Sequence, residues 1–437
     1  MHRLNVFIKN GIVLTSSSLI IKFIFMIFNI FLSNNIPSNI LGVWSLIMSV
    51  FSFLMTIALS GINLAATRLT SEEKSHGLTS NIPCILKACM EYSFIFSIIS
   101  IFLTILFSNF ITQYILKNIV PIYLIFILAL SLPLISLSSC LNGYFMAMKK
   151  VFVVAISQLI EISVQVLIVI FLLHINKSSN VVYFCLSLSV GLVISELASF
   201  IYLISAYCKY NKLFRVSTHK SYKKQVLKIS LPVAITTYIK AGLSTIKNAL
   251  IPIALTTYGL SYNSSLSYYG LISTTVMSLI LFPYTLIQSY SSLLIPELSS
   301  YNKKTDEKKI THVAYKSIYA TLIFSVLICI FFILFSDLIN EKFYSSVQVA
   351  LYIRILSPII IYIYMDNVID SILKSLDFQV FVMLINIIDL VASISFIKFL
   401  IPKFGISGYI FVLYFSEVFN FLLSFAALKF KLKRLKD

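Results

Sequence analysis

The sequence predicts an all-α integral membrane protein of about twelve transmembrane helices, arranged as two six-helix lobes. Of the 437 residues, 59% are hydrophobic and only 11% are charged, a composition far from that of soluble globular domains. Apolar runs of 18 or more residues recur along the whole chain, and a helix needs roughly 20 apolar residues to cross hydrocarbon. These runs are continuous rather than alternating, which argues against a transmembrane β-barrel.

The individual spans follow from the positions of the apolar runs. We predict spans at about 11–33, 39–63, 82–108, 119–146, 151–174, 180–207, 229–257, 266–295, 313–337, 347–372, 378–401 and 405–428. Little of the chain remains for a domain outside the membrane.

The basic residues predict the orientation of the chain, because lysine and arginine concentrate in cytoplasmic loops. Outside the spans or at their edges, 23 lie on the side of the N-terminus and five on the opposite side. Both termini of a multi-pass protein of the bacterial cell membrane are therefore predicted to be cytoplasmic. The net charge of +18 has the same explanation, so we expect membrane lipids rather than nucleic acid as partners.

Several classes of function lack their sequence signals. The six cysteines contain no C-x-x-C pair, so neither a metal site nor a disulfide framework is indicated. No glycine-rich phosphate loop or H-E-x-x-H motif is present, which excludes an ATP-driven pump within this chain. We expect no cofactor, no enzymatic activity and a monomeric protein.

An internal repeat divides the sequence. The segment FSIISIFLTILFSNFI from Phe96 aligns with FSVLICIFFILFSDLI from Phe324, at an offset of 228 with seven identities in sixteen positions. The same offset relates Gly42 to Gly270, Gln158 to Asn386, and Glu161 to Asp389. A shift of 221 relates the dipeptide Ser195–Glu196 to Ser416–Glu417.

The repeat predicts two lobes, residues 1–212 and 213–437. Because six spans return the chain to its starting side, the lobes are predicted to be parallel repeats about an axis along the membrane normal. Such repeats enclose a central substrate site and suit alternating access.

Two lysines stand inside the predicted seventh span. A lysine at the bilayer centre costs about 2.5–3.5 kcal/mol and usually faces a watery cavity. Lys240 lies about 16 Å along the predicted span, near the midplane, and Lys247 about 10 Å further out. We interpret both as cavity cations. The alternatives are an ion pair with a buried carboxylate for Lys240 and extension to the outer surface for Lys247.

The first span, which is the repeat partner of the seventh, places Lys22 at the depth of Lys240. Lys22 is therefore a third candidate for the cavity. Arg68 follows the second span, where a guanidinium can hold a phosphate in a bidentate manner. Its alternative role is that of a topology signal alone.

The predicted tenth span contains Asp366 and Asp370, which are four residues apart and therefore face the same way on a helix. They form a candidate cation or proton site. The alternative places Asp370 near the cytoplasmic end, hydrated and paired with Lys374. Pro232, Pro252 and Pro283 are predicted to interrupt the seventh and eighth spans.

A cationic cavity without a nucleotide motor suggests an anionic amphiphile as cargo. A lipid-linked pyrophosphate sugar fits, because its charged head must cross hydrocarbon while its tail stays in the bilayer.

A family resemblance begins at SLPVAITTYIKAGLSTIKNALIP and LSYYGLISTTVMSLILFPYTLIQSYSSLLIPELS, and continues through LKSLDFQVFVMLINIIDL and LIPKFGISGYIFVLYFSEVFNF. These segments resemble the stage V sporulation protein B type of polysaccharide-biosynthesis membrane protein. That type belongs to the multidrug, oligosaccharidyl-lipid and polysaccharide (MOP) flippase superfamily.

The resemblance implies a flippase that moves undecaprenyl-pyrophosphate-linked saccharides outward, such as a peptidoglycan or cell-surface polysaccharide unit, with a role in sporulation as one possibility. It also implies that Lys22, Arg68, Lys240 and Lys247 bind the pyrophosphate. The chain departs from the pattern at Asn29, where such proteins tend to carry arginine. It also has twelve predicted spans, whereas the peptidoglycan-precursor flippases usually have fourteen, which leaves an O-antigen or capsule unit open as cargo.

Two other functions remain as alternatives. A cation-coupled multidrug antiporter of the MATE type on the same fold would need acidic groups in the cavity, for which Asp366 and Asp370 are the candidates. A scaffold that recruits cell-wall enzymes is disfavoured by the small extramembrane part of the chain.

Overall fold

The protein is described by a computed structural model covering residues 2–175, 180–211, 221–299, 301, 306–344 and 347–436. The described chain is helical, and strands are absent from it. The α-helices of the described residues are α1 (His2–Asn35), α2 (Ser38–Leu59), α3 (Ile62–Ser75), α4 (Ile82–Phe110), α5 (Tyr123–Ala129), α6 (Ser131–Ala147), α7 (Val151–Ile175), α8 (Val181–Asn211), α9 (Lys223–Thr257), α10 (Tyr262–Gly270), α11 (Met277–Ile280), α12 (Tyr284–Ser299), α13 (Glu307–Phe343), α14 (Val347–Leu356), α15 (Ile359–Ser375) and α16 (Gln379–Lys436). A 3₁₀ turn (Thr79–Asn81) and two π-helical segments (Ile111–Ile115 and Leu271–Val276) complete the secondary structure of the described residues.

The prediction of an all-α protein with about twelve spans is confirmed. Nine helices of the described residues are long and apolar enough to cross a membrane, and two bent helix pairs raise the number to eleven. The long α16 contains Gly405 in a non-helical conformation, at the place where the eleventh and twelfth predicted spans meet.

The breaks in the helices differ in part from those predicted. Helix α9 is continuous through Pro232 and Pro252, so the prediction that these prolines interrupt the seventh span is wrong. The eighth span is broken near Pro283, where α11 and α12 are separate helices. The second span continues as α3 beyond Ser60 and Gly61, both of which have positive φ.

The described chain forms two compact units. Unit 1 comprises Met1–Phe25 and Leu46–Thr245, and unit 2 comprises Met26–Ser45 and Ile246–Asp437. The predicted lobe boundary at residues 212 and 213 lies outside the described residues, and the two six-helix lobes stay a prediction.

Unit 1 has a core in which α3, α4 and α6 pack together. Its fully buried side chains include Ile62, Ile85, Cys89, Cys140 and Tyr144. The side chain of Ser60 hydrogen-bonds to the Tyr238 hydroxyl of α9, and the backbone oxygen of Ser60 accepts a hydrogen bond from Tyr92 of α4 at 3.2 Å. The bend between α2 and α3 is thus held by two neighbouring helices.

Unit 2 contains a close crossing between the start of α2 and the segment formed by α10 and the following π-helical turns. A Cβ atom on Gly270 would lie 2.4 Å from the backbone nitrogen of Gly42, so the two backbones touch. Beside them the hydroxyls of Ser45 and Ser273 hydrogen-bond at 3.1 Å. The members of each pair, Gly42 with Gly270 and Ser45 with Ser273, are 228 residues apart, which is the offset of the sequence repeat. Residues at equivalent positions of the repeat therefore contact each other, as equivalent residues do at a twofold axis.

Candidate functional site

Lys240 lies at the middle of α9, seventeen residues from either end of the helix. At 1.5 Å per residue, each end is about 26 Å away. The side chain of Lys240 is exposed, and that of Thr237 on the same helix is exposed as well. The hydroxyl of Thr237 donates a hydrogen bond to the backbone oxygen of Ala234 at 2.8 Å. An ammonium group at this depth keeps its charge only where water or an anion reaches it.

Lys22 and Arg68 belong to unit 1, as Lys240 does. The side chain of Lys22 is exposed, and its Nζ lies 6.0 Å from the centroid of the Phe25 ring. Arg68 is also exposed and forms an ion pair with Glu72 one helical turn on, with Nε and Oε1 2.8 Å apart. Surface pairs of this type contribute about 0–1 kcal/mol, so Glu72 leaves the guanidinium able to exchange partners.

Lys247 belongs to unit 2 and contacts α16. Its Nζ donates a hydrogen bond to the Ser416 hydroxyl at 3.1 Å, and that hydroxyl donates to Asp389 Oδ2 at 2.9 Å. A buried serine thus links the positive charge of Lys247 to the negative charge of Asp389. The sequence pointed to Ser416 and Asp389 only as repeated positions, and Lys247 lies 169 residues before Ser416.

Asp366 and Asp370 share one face of α15, as their spacing predicted, and both are 8% exposed. Each accepts a hydrogen bond from α16. Asn420 donates to Asp366 Oδ2 at 2.8 Å, and Ser424 donates to Asp370 Oδ1 at 3.3 Å. Asp370 also lies 3.6 Å from Lys374, which is the ion pair that the alternative interpretation expected. That alternative also expected a hydrated Asp370, whereas both carboxylates are buried.

The cluster around Asp366 contains oxygen atoms that lack a donor. Among the described residues, Asp366 Oδ1, Asn367 Oδ1 and Asn420 Oδ1 are buried without a hydrogen-bond partner. The amide of Asn367 donates to the Tyr284 hydroxyl at 2.6 Å, which fixes the orientation of its side chain. Such acceptors are costly when they are unsatisfied, and together they present oxygen ligands suited to a hard monovalent cation or a proton.

Sequence reasoning missed the α16 side of this cluster. Asn420 and Ser424 are four residues apart, as Asp366 and Asp370 are, and the two pairs face each other across the two helices. A polar residue such as Asn420 inside the last apolar span was the available signal.

A second carboxylate pair lies in unit 1. The side chains of Glu161 in α7 and Glu196 in α8 hydrogen-bond to each other. This contact joins α7 to α8 at one of the repeated positions, Glu161. No group of three or more His, Cys, Asp or Glu side chains among the described residues is arranged to hold a metal ion.

Comparison with known families decides the membership of the chain. The model of the family described as polysaccharide biosynthesis protein matches residues 7–253. The chain belongs to this family. The matched region covers the first six predicted spans and most of the seventh, and it includes Lys22, Arg68, Lys240 and Lys247 of the candidate site.

A relative extends the comparison to most of the chain. Stage V sporulation protein B of Bacillus subtilis (strain 168) is 21% identical over 415 residues, which are 92% of this chain and 79% of the relative. The resemblance drawn from the sequence is confirmed.

Solved structures show the same fold. A multidrug resistance MATE family transporter of the MOP superfamily, in its inward-facing conformation, matches with a TM-score of 0.75 at 12% identity, covering 96% of this chain and 95% of that one. The lipid II flippase MurJ in an inward closed conformation matches with a TM-score of 0.72 at 14% identity, covering 97% and 89%. The chain therefore has the multi-pass fold of MOP-superfamily transporters.

Proposed function

We propose that this chain is a flippase that moves lipid-linked saccharides, of the undecaprenyl-pyrophosphate type, outward across the bacterial cell membrane by alternating access. The observation that carries the proposal is the exposed Lys240 at the centre of an apolar, continuous helix, in a member of a polysaccharide biosynthesis family. An exposed cation at that depth suits the pyrophosphate of a lipid-linked sugar. Lys22, Arg68 and Lys247 are proposed to contact the same anion.

The chemistry of this function requires no covalent step, so the protein acts as a transporter rather than an enzyme. The pyrophosphate exchanges water for ammonium and guanidinium groups, and the lipid tail remains in the bilayer. The partners are the lipid-linked saccharide and membrane lipids, and both termini lie in the cytoplasm. The sporulation protein B relative suggests that a sporulating cell is a setting in which this function is used.

Translocation in proteoliposomes tests the proposal. The purified chain is reconstituted with a fluorescent undecaprenyl-pyrophosphate saccharide, and dithionite quenching reports how much of it has changed leaflet. We expect the protein to accelerate movement of this lipid at least about a hundredfold over protein-free vesicles, a change of about 2.7 kcal/mol in the barrier. A phospholipid with the same fluorophore is the control, and equal acceleration of both lipids, or of neither, contradicts the proposal.

A cation-coupled antiporter of the MATE type is the second candidate function. The buried cluster of Asp366, Asp370 and Asn420 favours it, because Asp366 Oδ1 and Asn420 Oδ1 lack donors. The same cluster can serve the flippase as a coupling site for Na⁺ or H⁺.

Replacement of Asp366 by asparagine tests this role. The change keeps the size of the side chain but removes the negative charge that attracts a cation, so we expect efflux of a cationic dye driven by a Na⁺ or H⁺ gradient to fall at least about tenfold. The control is Asp337→Asn, because Asp337 is an exposed carboxylate of unit 2 paired with Arg354. Gradient-driven efflux that survives in Asp366→Asn rules out this cluster as the coupling site.

A further inference from the structure

Helices α3 and α6 of unit 1 approach each other at Gly143. A Cβ atom on Gly143 would lie 2.7 Å from the backbone oxygen of Asn63 and 2.9 Å from the Ala66 side chain. The Thr67 hydroxyl donates a hydrogen bond to the backbone oxygen of Gly143 at 3.1 Å. The absence of a side chain at Gly143 therefore permits the close contact that sets the register of the two helices.

This register brings together three lysines that are distant in sequence. Lys74 lies seven residues beyond Thr67, and Lys150 lies seven residues beyond Gly143. Seven residues before Gly143, the Ser136 hydroxyl donates to the backbone oxygen of Ala58 at 2.9 Å, and Ala58 precedes Thr67 in the chain. Helices α3 and α6 therefore run in the same direction, and the charge of Lys74 acts on Lys150 near their ends.

The backbone holds the second and third lysines in place. Lys149 has a positive φ of 60° after the end of α6. The amides of Lys149 and Lys150 donate to the backbone oxygens of Met146 and Phe145 at 3.0 and 2.9 Å. These two hydrogen bonds form a Schellman motif, which ends many helices. The motif fixes the backbone at Lys149 and Lys150 and therefore the directions of both side chains.

An aromatic ring forms one wall of the cluster. Lys150 Nζ lies 2.9 Å from the centroid of the Tyr210 ring of α8, and that ring packs edge-on against the buried Phe145 with centroids 6.3 Å apart. Burial and, second, the positive charge of Lys74 lower the pKa of Lys150. The Lys150 ammonium group is thus held against the Tyr210 ring although Lys74 repels it.

In the part of the chain that the structure describes, none of Lys74, Lys149 and Lys150 forms an ion pair. The nearby Glu73 accepts hydrogen bonds from Asn81 at 2.8 Å and Tyr222 at 2.9 Å. The positive-inside rule accounts for lysines at these helix ends, but it does not require lysines from two distant segments to converge on one ring.

We propose that Lys74, Lys149, Lys150 and Tyr210 form a binding site for a phosphate group that carries two negative charges, at the membrane surface predicted to be cytoplasmic. We call these four residues the lysine site. Such a phosphate is present in the phosphomonoester headgroup of a lipid and in soluble pyrophosphate. Three ammonium groups can each donate a charge-assisted hydrogen bond to its oxygens, and cations near a membrane surface attract anionic lipids by about 1 kcal/mol each.

Binding to the purified full chain in detergent tests the proposal, with three probes: dioctanoyl phosphatidic acid, dioctanoyl phosphatidylglycerol and inorganic pyrophosphate. We expect phosphatidic acid to bind at least about tenfold more tightly than phosphatidylglycerol, which carries one negative charge. The variant Lys74→Gln/Lys149→Gln/Lys150→Gln should weaken phosphatidic acid binding at least about tenfold.

The matched control removes three lysines elsewhere. The variant Lys308→Gln/Lys309→Gln/Lys316→Gln loses the same charge from exposed positions at the start of α13, and we expect less than about a twofold change in binding. The single variant Lys149→Gln, at an exposed side chain, should weaken binding partially and serves if the triple variant fails to fold.

The three probes also distinguish the source of the phosphate. If phosphatidic acid binds and pyrophosphate does not, the lysine site is assigned to a lipid headgroup. Tight binding of pyrophosphate assigns the lysine site to a soluble ligand. Equal affinity for phosphatidic acid and phosphatidylglycerol, or equal losses in the two triple variants, overturns the proposal, because binding would then follow the overall surface charge.

Discussion

Replacing Lys240 by glutamine will reduce translocation of a lipid-linked saccharide at least about a hundredfold, close to the rate of protein-free vesicles. The substitution removes the charge at the centre of α9 and keeps most of the length of the side chain. A charge-assisted contact in a site of low dielectric is worth about 3 kcal/mol, and that energy corresponds to roughly a hundredfold in rate. The measurement is fluorescent lipid transfer in proteoliposomes.

Two variants control for this prediction. Lys240→Arg retains the charge and should keep a substantial part of the transport rate. Lys398→Gln removes an exposed lysine of α16 and should transport as the unchanged protein does. All variants should elute as folded protein in detergent. Transport at the normal rate by folded Lys240→Gln would refute the central role that we assign to this lysine.

Replacing Gly270 by alanine will destabilise unit 2 strongly. The new Cβ atom would lie 2.3 Å from the backbone oxygen of Ser38 and 2.4 Å from the backbone nitrogen of Gly42. Backbone atoms cannot turn aside as side chains do, so α2 and α10 must separate. Overpacking of this type typically costs about 1–3 kcal/mol, and we expect the upper end of that range. Thermal unfolding in detergent measures the loss.

Gly242→Ala is the matched control, because Gly242 also lies inside a transmembrane helix. A Cβ atom there would lie 3.4 Å from Phe53 Cε2, an ordinary contact, and alanine is favoured over glycine in helices by up to about 1 kcal/mol. We therefore expect Gly242→Ala to unfold at the same or a higher temperature. An unchanged unfolding temperature for Gly270→Ala would show that the crossing of α2 and α10 is looser than described.

The sequence was sufficient for the class of fold because the bilayer imposes it. Backbone groups in hydrocarbon must be paired within the chain, so a long apolar run has little choice but to form a helix. The breaks were harder to predict. Pro232 and Pro252 are tolerated inside α9, since neighbouring groups in a membrane protein can satisfy the backbone that a proline frees. The break at Ser60 and Gly61 depends on contacts with Tyr92 and Tyr238 from other helices.

The candidate site was predictable where local spacing carries the information. The separation of four residues placed Asp366 and Asp370 on one face, and the structure confirms that they share a cluster. Their partner Asn420 and the link from Lys247 to Ser416 join residues 54 and 169 positions apart. Helix periodicity relates only residues within a few turns of each other. Contacts between residues so far apart in the sequence can be predicted only when the tertiary packing is known.

The contact between Gly42 and Gly270 limits how far the two copies of the repeat can diverge. After a duplication, each copy usually accumulates changes independently, and a gain of volume in one can be offset by a loss in the other. Here both positions already have the smallest residue, so no compensating loss remains. Selection must then preserve both glycines together, even in descendants whose cargo and remaining sequence have changed.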